Sequence, residues 1–189
     1  MTSFMSREEL EKVGFKSIGE NVLISRNATI YGAGNISIGS NVRIDDFCIL
    51  SGKIEIGNYV HIAAYSAMYG SAAGIQIDDF ANISSRVCVY AVSDDFSGRT
   101  MTNPMIPDKY KDVLQKATYI GRHAIIGTGC TVLPGSVLEE GAVMGAMTLV
   151  KGNVAPWTVV VGVPARKIRD RSRDLLHLEK DFLNERKPD

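Results

Sequence analysis

An apolar residue returns at every sixth position along most of this chain. The series runs Ile18, Ile24, Ile30, Ile38, Ile44, Leu50, Ile56, Ile62, Met68, Ile77, Ile83 and Val89. After a gap it resumes as Ile120, Ile126, Val132, Leu138, Met144 and Val150. Four residues after each stands a second inward position, such as Val22, Gly34, Cys48, Ala72, Val87, Ser93, Ala124 or Val154; all are small or β-branched, and Ile54 is the one large residue among them. A period of six suits neither an α-helix nor a simple alternating strand. It suits a short strand and a tight turn, three of which close one triangular coil. The large aliphatics then fill the prism and the small residues pack inside its corners. Six coils stacked at the strand spacing make an all-β solenoid roughly 30 Å long.

The coils begin at Ile18, Ile38, Ile56, Ile77, Ile120 and Leu138, so the surplus residues all follow the third side. Most of them form one inserted loop over residues 90–119. Loops displayed on one edge of a rigid scaffold commonly carry function. Exposed coil ends need covering, since they present unpaired strand edges. Ser6-Arg7-Glu8-Glu9 is a capping box that opens a helix in an N-terminal cap over residues 1–17. Residues 169–189 set Leu175, Leu176, Leu178, Phe182 and Leu183 among charges, an amphipathic helix expected to cover the last coil. The β-helix proper occupies residues 18–168, and the whole chain, 1–189, reads as a single domain.

Composition narrows the function. The 189 residues hold 21 Lys+Arg against 21 Asp+Glu, a balance that argues against a nucleic-acid or membrane-surface binder. No apolar run approaches the roughly 20 residues of a spanning helix, and no secretory leader is visible. Cys48, Cys88 and Cys130 are scattered without CxxC spacing, which fits reduced thiols in a cytoplasmic protein. The charge is locally uneven, however. Arg166, Lys167, Arg169, Arg171 and Arg173 crowd around one acid, Asp170, a cluster suited to phosphates.

The repeat, the tail Val161-Gly162-Val163-Pro164-Ala165-Arg166-Lys167-Ile168, and the pair Ile120-Gly121 and Ile126-Gly127-Thr128-Gly129 together resemble the hexapeptide-repeat acyltransferases. The resemblance covers residues 18–170 and is nearest to sugar O- and N-acetyltransferases of surface-polysaccharide and O-antigen (lipopolysaccharide) pathways. It implies a left-handed parallel β-helix, an exception to the usual right-handed crossover. It also implies a homotrimer with acetyl-coenzyme A, the cosubstrate, bound between subunits. By coil position, the resemblance places Ser84, Thr128 and Ala146 along the pantetheine and Lys151, Arg166 and Arg169 near the phosphates. Trp157 and Pro164 are candidates to flank the adenine. A backbone N–H near Ser84 or Ala146 is the candidate oxyanion donor.

Galactoside-type relatives use a histidine at the start of the long loop as general base for a sugar hydroxyl. Here that position is Asp94, followed by Asp95, and the loop holds no histidine. Losing such a base costs an alcohol nucleophile roughly 100- to 10,000-fold. An amine with a pKa of about 7.7–8.0 is already some 10–20% neutral at pH 7 and attacks a thioester with little help. The sequence thus points to acetyl transfer onto an amino sugar, expected to be nucleotide-linked, with Asp94 or Asp95 handling the ammonium. O-acetylation with His61 as base is the alternative. His123, in an outward turn, and His177, in the C-terminal helix, are expected to be structural. A zinc enzyme lacks its third histidine in the prism, so no metal is expected. A non-catalytic scaffold would leave the basic tail and the insertion without a role.

Overall fold

The six-residue series lines the inside of a three-sided parallel β-helix in the computed structural model, which describes residues 3–186. The helix winds left-handed. Its first side stacks Ile18, Ile38, Ile56, Ile77, Ile120, Leu138 and Val154 in register. The second stacks Ile24, Ile44, Ile62, Ile83, Ile126, Met144 and Val160. The third stacks Ile30, Leu50, Met68, Val89, Val132 and Val150. Most of these side chains are fully buried. At about 1.5–3 kcal/mol for each buried aliphatic, this column is the main stabilising element.

Two features differ from the periodic expectation. A seventh coil exists, because Val154 pairs with Leu138 as a first-side residue instead of closing the sixth coil's last corner. That step is two residues short, which hides it from a fixed period. At the third corner, Gly34 and Ala72 are exposed and Ser93 is only half-buried. Their inward places go to Ile36, Ile75 and Thr118, which align with Ile54 two residues before the first-side aliphatic. Surplus residues therefore bulge out before the corner is turned. In the third coil they are absorbed into one strand, Ala67–Ile77, whose register slips against Ile49–Ile56 near Gly52. In the fourth they become the long excursion, whose neck is tied by Thr118 Oγ1 donating to Tyr90 O at 2.7 Å.

At the first two corners, the third residue after the inward aliphatic is commonly left-handed. Corner one gives Asn21, Asn41, Tyr59, Phe80, His123, Gly141 and Trp157; corner two gives Phe47, Tyr65, Arg86, Gly129 and Met147. A bulky residue in this conformation costs roughly 1–2 kcal/mol, which the stacked coils on either side hold in place. Gly141 is needed twice over, for its φ of 69° and because an added methyl would lie 2.5 Å from the Trp157 ring.

The two ends are finished differently. Helix α1 (Arg7–Val13) has the expected capping box: Ser6 Oγ accepts from Glu9 N, and Glu9 Oε2 accepts from Ser6 N at 2.6 Å. Its Leu10 is buried. The C-terminal arrangement differs from expectation. Residues Arg166–Asp170 form a strand antiparallel to Thr158–Val161, and helix α2 begins only at Leu175 and runs to Glu185. Helix α2 does not lie across the last coil. It packs along corner one, where Phe182 meets Tyr59 and Phe80 edge-on and Glu179 bonds His123 and Arg122. Residues 1–2 and 187–189 of the expected caps lie outside the described residues. Among the described residues no helix is long and apolar enough to cross a membrane.

Candidate active site

Corner two supplies a strip of small residues running down the solenoid. Directly after the second-side aliphatics come Ala63, Ser84, Gly127 and Gly145, and next to them Ala64, Ser85, Thr128 and Ala146. The first of each pair spends its N–H on the coil ladder: Ser84 N donates to Ile126 O at 2.9 Å and Gly127 N to Met144 O at 2.8 Å. The N–H groups of Ser85, Thr128 and Ala146 have no acceptor among the described residues. They form a row of outward donors one strand spacing apart. The expected trio Ser84, Thr128, Ala146 is therefore not one column. Ser85 is the coil equivalent of Thr128, and the two hydroxyls lie 3.1 Å apart, with Thr128 Oγ1 also 2.8 Å from Ser85 O. Counting two residues on from Ile83, as from Ile126, would have found Ser85. Ser84 contributes a hydroxyl with no hydrogen-bond partner among the described residues, while its carbonyl accepts from Ser66 Oγ.

Toward the C-terminus, Lys151, Pro164 and Arg166 come together around a cavity of about 350 Å³. Of the five basic residues counted in this tail, Lys167 pairs with Asp170 at 2.6 Å, and Arg171 and Arg173 lie over Trp157. That leaves Arg166 and Arg169 exposed and without an ion pair among the described residues. Trp157 is buried on corner one, 6.4 Å from His123, and is part of the core covering, not an adenine platform.

Toward the N-terminus, His61 stands outward on the second side between Arg43 and Asn82. Its Nε2 is 2.8 Å from Asp45 Oδ2 and its Nδ1 3.3 Å from Asn82 Oδ1, so neither ring nitrogen is idle. Asp45 also accepts from Arg43 Nε at 2.7 Å. Burial would raise the Asp45 pKa, but the hydrogen bonds from His61 and Arg43 outweigh it and hold the carboxyl below its usual range. His123, by contrast, is buried and stacked on Phe80, with its Nε2 2.9 Å from Glu179 Oε2.

The excursion starts with a short ladder, Val92–Ser93 against Leu114–Gln115, which aims the two acids after it. They are not equivalent. Asp95 accepts from Ser97 N and Ser97 Oγ, both at 2.8 Å, and from Thr100 Oγ1 at 3.0 Å. These bonds to Ser97 and Thr100 pull its pKa down to about 2. The Asp94 carboxylate is exposed and receives no hydrogen bond from the described residues. No hydrogen bond or ion pair among them joins Asp94 to Ser84 or His61. No cluster of three or more His, Cys, Asp or Glu side chains fit for a metal is found there either.

Residues 35–70 match the bacterial transferase hexapeptide (six repeats) family. The chain is 48% identical over 183 residues, 95% of either chain, to dTDP-4-amino-4,6-dideoxy-D-glucose acyltransferase of Escherichia coli. It is 54% identical to AntD, an N-acyltransferase from Bacillus cereus. The D94A form of AntD, bound to dTDP and coenzyme A, superposes with a TM-score of 0.96 over 98% of this chain and 100% of that one. Its S84C form, with dTDP-4-amino-4,6-dideoxyglucose and coenzyme A, gives 0.95 over 98% and 99%. A complex of AntD with dTDP and 3-hydroxybutyryl-CoA also gives 0.95, over 98% of both. Sequence, coil geometry and near-full-length likeness agree, and the chain belongs to the hexapeptide-repeat acyltransferases.

Proposed function

We propose that this chain transfers an acyl group from a coenzyme A thioester to the amine of a nucleotide-linked amino sugar. The observation that carries this reading is the near-full-length likeness to an N-acyltransferase seen with dTDP-4-amino-4,6-dideoxyglucose and coenzyme A. The absence of histidine from residues 90–119 supports the same choice of nucleophile. AntD was studied with substitutions at D94 and S84, and the present chain carries Asp94 and Ser84 under the same numbers.

In this scheme the coenzyme runs along corner two. Arg166, Arg169 and Lys151 meet its phosphates, Pro164 borders the adenine end, and the N–H groups of Ala146 and Thr128 bond the pantetheine. The amine nitrogen attacks the thioester carbonyl, forming a C–N bond and a tetrahedral oxyanion. The Ser84 hydroxyl and the Ser85 N–H are the donors placed for that oxygen, since the Ser84 N–H is committed to Ile126. The C–S bond then breaks, coenzyme A leaves as thiolate, and the surplus proton on nitrogen passes to Asp94 or to solvent. Asp95 shapes the loop that presents Asp94. His61, engaged at both nitrogens, positions the acceptor and is not the general base.

A homotrimer with sites between subunits, as the family resemblance implies, would bring Asp94 of one subunit to Ser84 of the next, which no hydrogen bond joins among the described residues. A cytoplasmic enzyme feeding a surface polysaccharide such as O-antigen fits the same substrates. Acetyl is the acyl group implied by the family resemblance; the AntD complex with 3-hydroxybutyryl-CoA makes a four-carbon hydroxyacyl group the second reading. The test is thiol release from each of these two thioesters, with dTDP-4-amino-4,6-dideoxyglucose or the matching 4-hydroxy sugar as acceptor. Turnover with the hydroxy sugar alone overturns the amine reading.

A further inference from the structure

The coils do not all turn their corners with the same hydrogen bond. On corner one, Gly121–Ala124 and Glu139–Ala142 close directly: the last N–H of each turn donates to its first carbonyl at 3.0 Å. On corner two, Val87 N makes no such bond to Ser84 O among the described residues. A side chain from the preceding coil stands between the two groups. Ser66 Oγ donates to Ser84 O at 2.9 Å and accepts from Val87 N at 3.2 Å. Ser66 is fully buried, so both bonds stay inside the prism. Thiols fill the same place in neighbouring coils: Cys48 Sγ donates to Ala63 O at 3.2 Å, and Cys130 Sγ to Gly145 O at 3.0 Å. Under Ser84 the inserted group is a hydroxyl, a stronger donor than a thiol.

This bond bears on one particular donor. The Ser84 carbonyl and the Ser85 N–H belong to a single planar trans peptide unit and point in opposite directions. Holding the carbonyl from inside the prism therefore turns the Ser85 N–H outward. A carbonyl that accepts a hydrogen bond also polarises the N–H of its own peptide, which strengthens that N–H as a donor. The following peptide is held from the next coil, since Ser85 O accepts from Gly129 N at 3.1 Å and from Thr128 Oγ1 at 2.8 Å. Between these two anchors the Ser85 N–H has one fixed direction.

We propose that Ser66 is a positioning residue for acyl transfer: its buried hydroxyl holds the Ser84–Val87 turn open and aims the Ser85 N–H at the thioester oxygen. This rests on the acyl transfer proposed above, in which that N–H and the Ser84 hydroxyl receive the oxyanion. Being buried, Ser66 touches neither substrate and acts through the peptide it holds. Without its hydroxyl, Val87 N and Ser84 O are left to close on each other, as the ends of the Gly121–Ala124 turn do. The peptide then rotates and its N–H swings off the reacting oxygen. The loss falls where negative charge develops, in the transition state, and not on the binding of either substrate.

The experiment compares Ser66→Ala, Ser66→Cys and Ser136→Ala with wild type, by thermal melting and by steady-state thiol release with the amino-sugar acceptor and the thioesters named above. Ser136 is the matched control. On the third corner its buried Oγ donates to Val150 O at 3.3 Å and accepts from Gly152 N at 3.2 Å. Both alanine variants lose the same kind of bond pair and melt a few degrees lower. Removing an oxyanion donor outright costs about 100- to 1,000-fold in kcat, so misaiming one costs roughly 10- to 100-fold. Ser66→Ala shows that fall in kcat with KM for both substrates within about twofold, while Ser136→Ala keeps kcat within about twofold of wild type. Ser66→Cys, which copies Cys48 and Cys130, recovers the melting temperature and most of the turnover, leaving kcat roughly threefold below wild type. If Ser66→Ala fails to fold, Ser66→Cys carries the test, and wild-type kcat in it then overturns the proposal. Unchanged kcat in folded Ser66→Ala, an equal loss of kcat in Ser136→Ala, or a change confined to KM also overturns it and leaves acyl transfer to the amino sugar intact. Wild-type protein that releases no thiol from either thioester overturns both readings.

Discussion

Replacing Gly127 with alanine tests whether the proposed coenzyme strip is set by close approach of successive coils. Gly127 has no left-handed backbone to protect, so a methyl group meets only a packing obstacle there. That obstacle is the next coil's main chain: the methyl would lie 2.7 Å from Ala146 N, 2.8 Å from Met144 O and 2.9 Å from Gly145 C. Overpacking of this kind costs about 1–3 kcal/mol, offset by up to about 1 kcal/mol from a stiffer unfolded chain. A net loss of about 1–2 kcal/mol in a chain of this size lowers Tm by roughly 2–8 °C. The displaced atom is also one of the row of free donors, so misaligning one hydrogen bond weakens coenzyme A binding by about three- to tenfold. Gly34→Ala is the control, because its methyl would meet nothing nearer than Gly14 O at 4.0 Å, and it should melt with or slightly above wild type. The assay is thermal melting by circular dichroism with and without coenzyme A, plus calorimetric titration. Wild-type stability and affinity in Gly127→Ala, or an equal loss in Gly34→Ala, would refute the reasoning.

The remaining predictions concern charge. Asp94→Asn should lower kcat at least tenfold while leaving Tm within about 1 °C, because the carboxylate makes no bond within the described chain; unchanged turnover removes it from the chemistry. Asp95→Asn should instead loosen the loop, seen as faster proteolysis near residues 95–100, since Ser97 and Thr100 lose an ionised acceptor. The Asp95 carboxyl titrates at about 2 in the fold, below its ordinary value of 3.8, so its contribution is complete above pH 4 and fades as pH falls toward 2; limited proteolysis across that range reads it. Burial, then Arg122, depress the His123 pKa, so the unfolded chain takes up this proton first. Stability should hold above about pH 6.5 and fall below it, and the slope should flatten in His123→Gln, measured as Tm against pH. Arg166→Ala should raise KM for the acyl donor several-fold with kcat kept, because an exposed cation without an ion pair is available to a phosphate.

The legible and the illegible parts of the sequence divide along one physical line. Inward positions repeat because each coil buries its aliphatics against the coil before it, so Ile24, Ile44, Ile62 and Ile83 announce one another at a distance. The third corner broke the pattern: backbone can bulge outward there at little cost, so the inward residue is set on the far side of the bulge, at Ile36, Ile75 or Thr118, and counting forward from the previous side fails. The candidate site divides the same way. Thr128 and Ala146 stack because both sit inside the repeat, and Ser85, not Ser84, is the position that aligns with them, since the Ser84 N–H is committed to Ile126 O. Asp94 and Asp95 look alike in sequence, and only the turn formed by Ser97 and Thr100 separates the anchored acid from the available one. Helix α2 was legible as amphipathic but not as to which surface it covers, since that depends on Tyr59, Phe80 and His123 meeting across three coils. Chemistry within the period can be read from the chain; chemistry built where coils or loops meet needs the fold, and the proposed reacting centre lies at that boundary.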